Sequence, residues 1–127
     1  MKATFNQLQR GFNSLAKLAS QDLPAKHLYW LGPIAKAAET EMKNLEEARI
    51  KLVKRLGVEE SEGNWTIAAD SMEAFSKEIN ELLEESIELP GDPIKFDSLG
   101  EGVKLSAIDL INLEWLFEAE AAKTAGA

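Results

Sequence analysis

Residues 23–57 read LPAKHLYWLGPIAKAAETEMKNLEEARIKLVKRLG, and this stretch decides the fold. Apolar or small residues recur along it at spacings that alternate between three and four, the repeat of a helix that packs along a seam. These positions are Leu28, Leu31, Ala35, Ala38, Met42, Leu45, Leu52 and Leu56. Arg49 occupies the one remaining step of the repeat. The stretch therefore predicts one long helix, about 48 Å in length at about 1.5 Å per residue.

Two glycine-containing positions mark the irregular points of this helix. Gly32-Pro33 predicts a kink or a break, because proline lacks an N–H and presses on the carbonyl of Tyr29. Gly57 predicts the end of the helix, since Lys54 and Arg55 before it suit the negative end of the helix dipole.

A first helix is predicted from Phe5 to about Ser20. Thr4 and Gln7 form a capping-box pattern ahead of a second apolar stripe. That stripe consists of Phe5, Leu8, Phe12, Leu15 and Ala19. Gly11 lowers helix propensity by roughly 1 kcal/mol relative to alanine, which indicates that something packs closely against it. The link to the long helix is short, so residues 1–57 are predicted to form an antiparallel helical hairpin.

The remaining residues, 58–127, form the acidic α+β part. Short alternating or β-branched segments predict strands at residues 65–67, 87–89, 94–96 and 103–105, with an acidic loop at 58–64 and a turn at 90–93. A third helix is predicted from about Asp70 to Ser86, and a last one from Ser106 through Phe117. The tail from Ala119 to Ala127 is expected to fray. The fold class is therefore α+β, mainly α: a long N-terminal helical hairpin followed by a small antiparallel β element with two further helices, in one domain over 1–127.

Composition favours a globular chain with a buried core, because 45% of residues are hydrophobic and 28% charged. No run approaches the ~20 apolar residues of a membrane span, and the start lacks the apolar core of a secretory signal. The absence of cysteine suits a cytoplasmic protein and excludes disulfides. Residues 1–56 hold ten basic against five acidic residues, a balance of +5, while residues 57–127 hold four against seventeen, a balance of −13. The net charge of −8 disfavours a general nucleic-acid binder.

The sequence predicts no catalytic residues, no metal site and no cofactor. His27 is the only histidine, and no serine lies in a nucleophile-elbow pattern. The acidic run of Glu78, Glu81, Glu84, Glu85 and Glu88 is interpreted as the solvated face of the third helix rather than a cation site.

Arg49 is the most informative candidate, because a guanidinium in an apolar seam needs a counter-charge. One interpretation is an ion pair with the acidic part, or a side chain that reaches solvent. The other is an anion site shared with Lys51, Arg55 or Lys36. A second candidate ligand or partner surface is formed by His27, Tyr29 and Trp30 at the start of the long helix.

Several short segments carry a resemblance to a known family. They are Leu23-Pro24-Ala25-Lys26, Glu46-Glu47-Ala48-Arg49-Ile50-Lys51-Leu52, Gly63-Asn64, Phe75 with Glu78, Glu81, Leu82 and Leu83, and Leu105-Ser106-Ala107. In this order, from about Leu18 to Phe117, the chain resembles a family of small proteins of tailed phages and prophages whose function is not known. Gly32-Pro33 and the alanine-rich tail depart from it. The resemblance implies a phage context, and hence a host-cytoplasmic or virion-associated protein, with Arg49 as a family feature.

Two functional hypotheses follow. The first is a non-enzymatic phage interaction or assembly protein that binds itself, as a homo-oligomer, or another phage or host protein. The alternative is an anti-defence protein that sequesters a signalling nucleotide through Arg49, Lys51 and the Tyr29-Trp30 aromatics, or blocks a host nucleic-acid-binding enzyme with its carboxylates. Neither hypothesis involves a membrane.

Overall fold

The structure is a computed structural model that describes residues 1–100 and 102–118. It confirms the mainly α, α+β fold class. Its elements in chain order are β1 (Lys2–Thr4), α1 (Phe5–Ala19), α2 (Ala25–Leu56), β2 (Gly57–Ser61), β3 (Asn64–Ile67), α3 (Ala69–Leu83), β4 (Ser86–Glu88), a 3-10 turn (Phe96–Leu99) and α4 (Ala107–Asn112). The predicted fraying of the tail falls on 119–127, which lie outside the described residues.

The helical hairpin forms as predicted. Thr4 caps α1 by the capping box, since its Oγ1 accepts from the Gln7 N–H at 3.0 Å and its own N–H donates to Gln7 Oε1 at 2.9 Å. The apolar stripe of α1 packs on the first half of α2. With 15 residues α1 is about 22 Å long, less than half the ~48 Å of α2. The second half of α2 therefore extends beyond α1.

Of the kink or break expected at Gly32-Pro33, the break does not occur, because α2 runs without interruption from Ala25 to Leu56. Gly32, Pro33 and Tyr29 are all exposed. Water can therefore hydrate the carbonyl that loses its helical partner, and the proline ring meets no packed neighbour.

The strands differ from those predicted. The segment at 87–89 becomes β4, which pairs antiparallel with β1, a strand that the sequence did not indicate. Ile94 makes only a single parallel bridge with Phe117, and residues 103–105 form no strand. The predicted acidic loop at 58–64 instead contains β2, which pairs antiparallel with β3 at residues 65–67. Two- or three-residue alternation marks strand-like residues but does not identify their partners.

The last helix is shorter than predicted, because α4 ends at Asn112 and turns follow. Four of the five side chains from 113 to 117 are buried: Leu113, Trp115, Leu116 and Phe117. A regular helix points only one stripe of side chains toward a core. The irregular backbone is what allows this dense apolar run to be buried.

The buried core lies at one end of the molecule. It is formed by Ala3 of β1, α1, the first half of α2 and residues of the segments 89–99 and 103–117. Between Ala38 and Leu89 the only buried side chains are Leu45 and Leu52, and α3 contributes none. We call the part of the molecule made of the second half of α2 together with all of β2, β3 and α3 the distal half. This distal half is thinly packed.

Candidate functional site

Arg49 is half exposed, and its counter-charge comes from its own helix. The guanidinium donates through Nε to Glu46 Oε2 at 3.0 Å and through a second nitrogen to Oε1, with the Arg49 side chain 50% exposed. This hydrogen bond lowers the pKa of Glu46 and raises that of Arg49. The predicted ion pair with the acidic part is therefore not made by Arg49.

Arg55 makes that link instead. Its guanidinium donates to the carboxylate of Glu78 on α3, and this bond raises the pKa of Arg55. Lys51 is exposed and forms no ion pair with any described residue. The four predicted cations therefore differ: Arg49 is paired within α2, Arg55 ties α2 to α3, and Lys51 and Lys36 are exposed.

Arg49 also lines an open groove of about 570 Å³ at the far end of α2, here called the distal groove. Its other main lining residues are Ile50, Val53, Lys54, Glu59 and Trp65. Glycine at position 57 allows β2 and β3 to lie close against α2. A Cβ at this position would lie only 2.5 Å from the carbonyl oxygen of Val53 and 2.9 Å from that of Thr66. The β2–β3 pair thereby places the indole of Trp65 beside the surface of α2 that carries cations and aliphatic side chains.

The predicted aromatic surface at the start of α2 divides into two parts. Trp30 is half-buried; its Nε1–H donates to the carbonyl of Asp92 at 3.0 Å, and its ring lies against Gly91, whose φ is +81°. It therefore holds the predicted turn at 90–93 in place. Tyr29 is 86% exposed, and His27, two residues earlier, is half-buried.

The structure does not bring Tyr29 and Trp30 together with Arg49 and Lys51. About twenty residues of one continuous helix separate the two groups, which is about 30 Å along its axis. A single nucleotide cannot contact both. Trp65 is the aromatic residue that lines the groove with Arg49. No local sequence pattern indicates this, because it depends on how β2 and β3 fold back against α2.

A polar cluster not predicted as a unit joins α4 to α1. Asp109 accepts from the Ser14 hydroxyl at 2.7 Å, from Lys17 Nζ at 2.7 Å and from the Ser106 N–H at 3.0 Å. These donors, Lys17 first, hold the pKa of Asp109 well below its ordinary value. A carboxylate stabilised in its charged form is a weak base, so the cluster orients α4 rather than performing acid–base chemistry.

Fixed in this way, α4 turns two large apolar side chains outward. Ile108 is 68% and Ile111 67% exposed, and they lie three residues apart on one helix face. Glu114 follows them and is also exposed. These three residues are called the α4 ridge below.

Among the described residues no group of three or more potential ligands is placed to hold a metal ion. None of the described helices combines the length and apolarity needed to span a membrane. Comparison of the chain with models of protein families, with curated proteins and with solved structures finds no match.

Proposed function

We propose that this chain is a non-enzymatic interaction protein that acts by self-association or by binding another protein, as a component of a phage virion or its assembly. The phage context rests on the family resemblance in the sequence. The protein-binding role rests on the surface of the folded chain.

The observation that carries the proposal is the placement of exposed apolar side chains. Single exposed apolar residues are ordinary, but grouped ones are typical of interaction surfaces. Ile50 is 41% exposed beside the distal groove, and Ile108 and Ile111 are two-thirds exposed together on α4. The distal half, with only two buried side chains between Ala38 and Leu89, also gains packing if another protein covers it.

Light scattering of the purified full chain at micromolar concentration tests the proposal. The expected mass exceeds that of the 14.0 kDa monomer and rises with concentration. A strict monomer that also co-purifies with no virion protein from infected cells would contradict it.

Nucleotide sequestration is the second candidate, because Arg49, Lys54 and the indole of Trp65 line one groove. Cations and a stacking surface are the groups that a nucleotide requires. Thermal unfolding with cyclic nucleotides is the test, since a ligand at 100 times its Kd stabilises the fold by about 2.7 kcal/mol. No shift with any nucleotide removes this candidate.

A further inference from the structure

We propose that the α4 ridge of one copy docks into the distal groove of a second copy, so that the chains associate head to tail. This inference rests on the proposed function, and it names the partner as a second copy of this chain.

The groove has the chemistry to receive such a ridge. Ile50, Val53 and Trp65 provide an apolar surface, and Lys54 provides a cation. Lys54 is exposed and has no ion-pair partner among the described residues. An occupant that offers aliphatic side chains together with a carboxylate complements both properties.

The ridge offers this combination in a fixed orientation. Ile108 and Ile111 project from the same face of α4, and Glu114 lies just beyond them with no ion pair to the described residues. Asp109 anchors the helix to Ser14 and Lys17. Because α4 is held by these bonds, little conformational entropy is lost when its outer face binds.

A ridge cannot fill the groove of its own copy. Asp109 is bonded to α1 at Ser14 and Lys17, and that part of α1 shares a surface with Ala35 and Glu39 of α2. The groove begins at Arg49, and Lys54 lies some fifteen residues beyond Glu39, about 22 Å along the helix. Two different surfaces therefore meet in each contact, which generates an open chain or a ring of copies.

The charge distribution of the chain favours this occupant over a nucleotide. Residues 1–56 are net basic and residues 57–127 strongly acidic, so a contact between a basic surface of one copy and an acidic one of the next is attractive. The guanidinium of Arg49 already donates two hydrogen bonds to the carboxylate of Glu46.

Sedimentation velocity over a micromolar concentration range tests the proposal with two variants of the full chain. The ridge variant is Ile108→Ser/Ile111→Ser, and the groove variant is Ile50→Ser/Lys54→Glu. Each is expected to weaken association by about a hundredfold, because each removes central apolar contacts. Met72→Ser, which changes another half-exposed apolar residue, and Lys26→Glu, which changes another exposed lysine, are the matched controls and leave association unchanged.

Mixing the two variants distinguishes head-to-tail contact from other arrangements. The ridge variant keeps an intact groove and the groove variant keeps an intact ridge. The mixture is therefore expected to form a heterodimer, and nothing larger, at concentrations where each variant alone is monomeric.

A charge exchange adds a second readout. Glu114→Lys and Lys54→Glu each weaken association by about tenfold, and the double variant recovers most of the loss. Thermal unfolding checks that the folds are intact.

Three outcomes overturn the inference. If the full chain self-associates but the ridge and groove variants match the controls, the contact lies elsewhere and the proposed function stands. If the ridge variant lowers thermal stability without changing association, the ridge packs against its own chain. If the full chain is monomeric at every concentration, both the inference and the self-associating form of the proposed function fail.

Discussion

Gly11 and Gly32 both lie inside helices, yet their surroundings are opposite. A Cβ on Gly11 would lie 2.5 Å from the Asn112 carbonyl oxygen and 3.2 Å from Trp115 Nε1, whereas a Cβ on Gly32 would meet nothing within 4 Å. The sequence-based expectation of close packing at Gly11 is thus confirmed. The glycine allows α4 and the following turn to approach α1.

Substituting alanine at these two positions should therefore have opposite effects. Gly32→Ala is expected to raise the free energy of unfolding by about 1 kcal/mol through helix propensity. Gly11→Ala has the same propensity gain but is expected to lower the free energy of unfolding by about 1–3 kcal/mol, because backbone must move to relieve the clash. Urea unfolding measures both. A stabilising Gly11→Ala would show that α4 does not lie against α1.

Asp109 makes stability depend on pH in a predictable direction. Its pKa is lowered in the folded chain, so the folded state favours the charged form. Its contribution is fully present above its ordinary pKa of 3.8 and is lost as the pH falls below that value toward the folded-state pKa. Wild type should therefore exceed Asp109→Asn in unfolding free energy by a constant amount from pH 7 to pH 5, and by less at pH 3. A difference that stays constant down to pH 3 would contradict this assignment.

The two helices of the hairpin could be predicted from sequence because their signals are local. Capping, apolar periodicity and Gly57 place α1 and α2 within a residue or two. The β pairings could not be predicted. The strands β1 and β4 have only three residues each and lie more than eighty positions apart in the chain. The candidate site was predicted in part: Arg49 does line a groove and Lys54 follows it on the same helix, but Trp65 joins them only through the fold of β2 and β3.

Burial, rather than side-chain size, should decide how strongly a substitution in α2 or α3 lowers the free energy of unfolding. Leu31 of α2 is 1% exposed in the core, whereas Phe75 of α3 is only half-buried. Leu31→Ala is expected to lower the free energy of unfolding by about 2–5 kcal/mol. Phe75→Ala is expected to lower it by about 1–2 kcal/mol, although phenylalanine is larger. Chemical unfolding of both variants provides the comparison. An equal or greater loss at Phe75 would mean that the distal half is as well packed as the core.

Two properties of the folded chain as a whole support the proposal that it acts as an interaction protein. The core lies at one end, while the distal half exposes the groove and relies on few buried side chains. The basic N-terminal and acidic C-terminal residues are joined by only a few ion pairs among the described residues, such as Lys17–Asp109 and Arg55–Glu78. Exposed apolar groups and unpaired charges of both signs therefore remain for a partner.

Hydrogen exchange of the full chain at low and high micromolar concentration tests self-association through the groove and the ridge, because it reports association and its location together. Head-to-tail association is expected to slow exchange at higher concentration in two segments at once, residues 49–65 around the groove and residues 107–114 around the α4 ridge. Exchange at the exposed start of α2 near Tyr29 should stay the same and serves as the internal control. Exchange rates that do not change with concentration in either segment would contradict self-association through these surfaces.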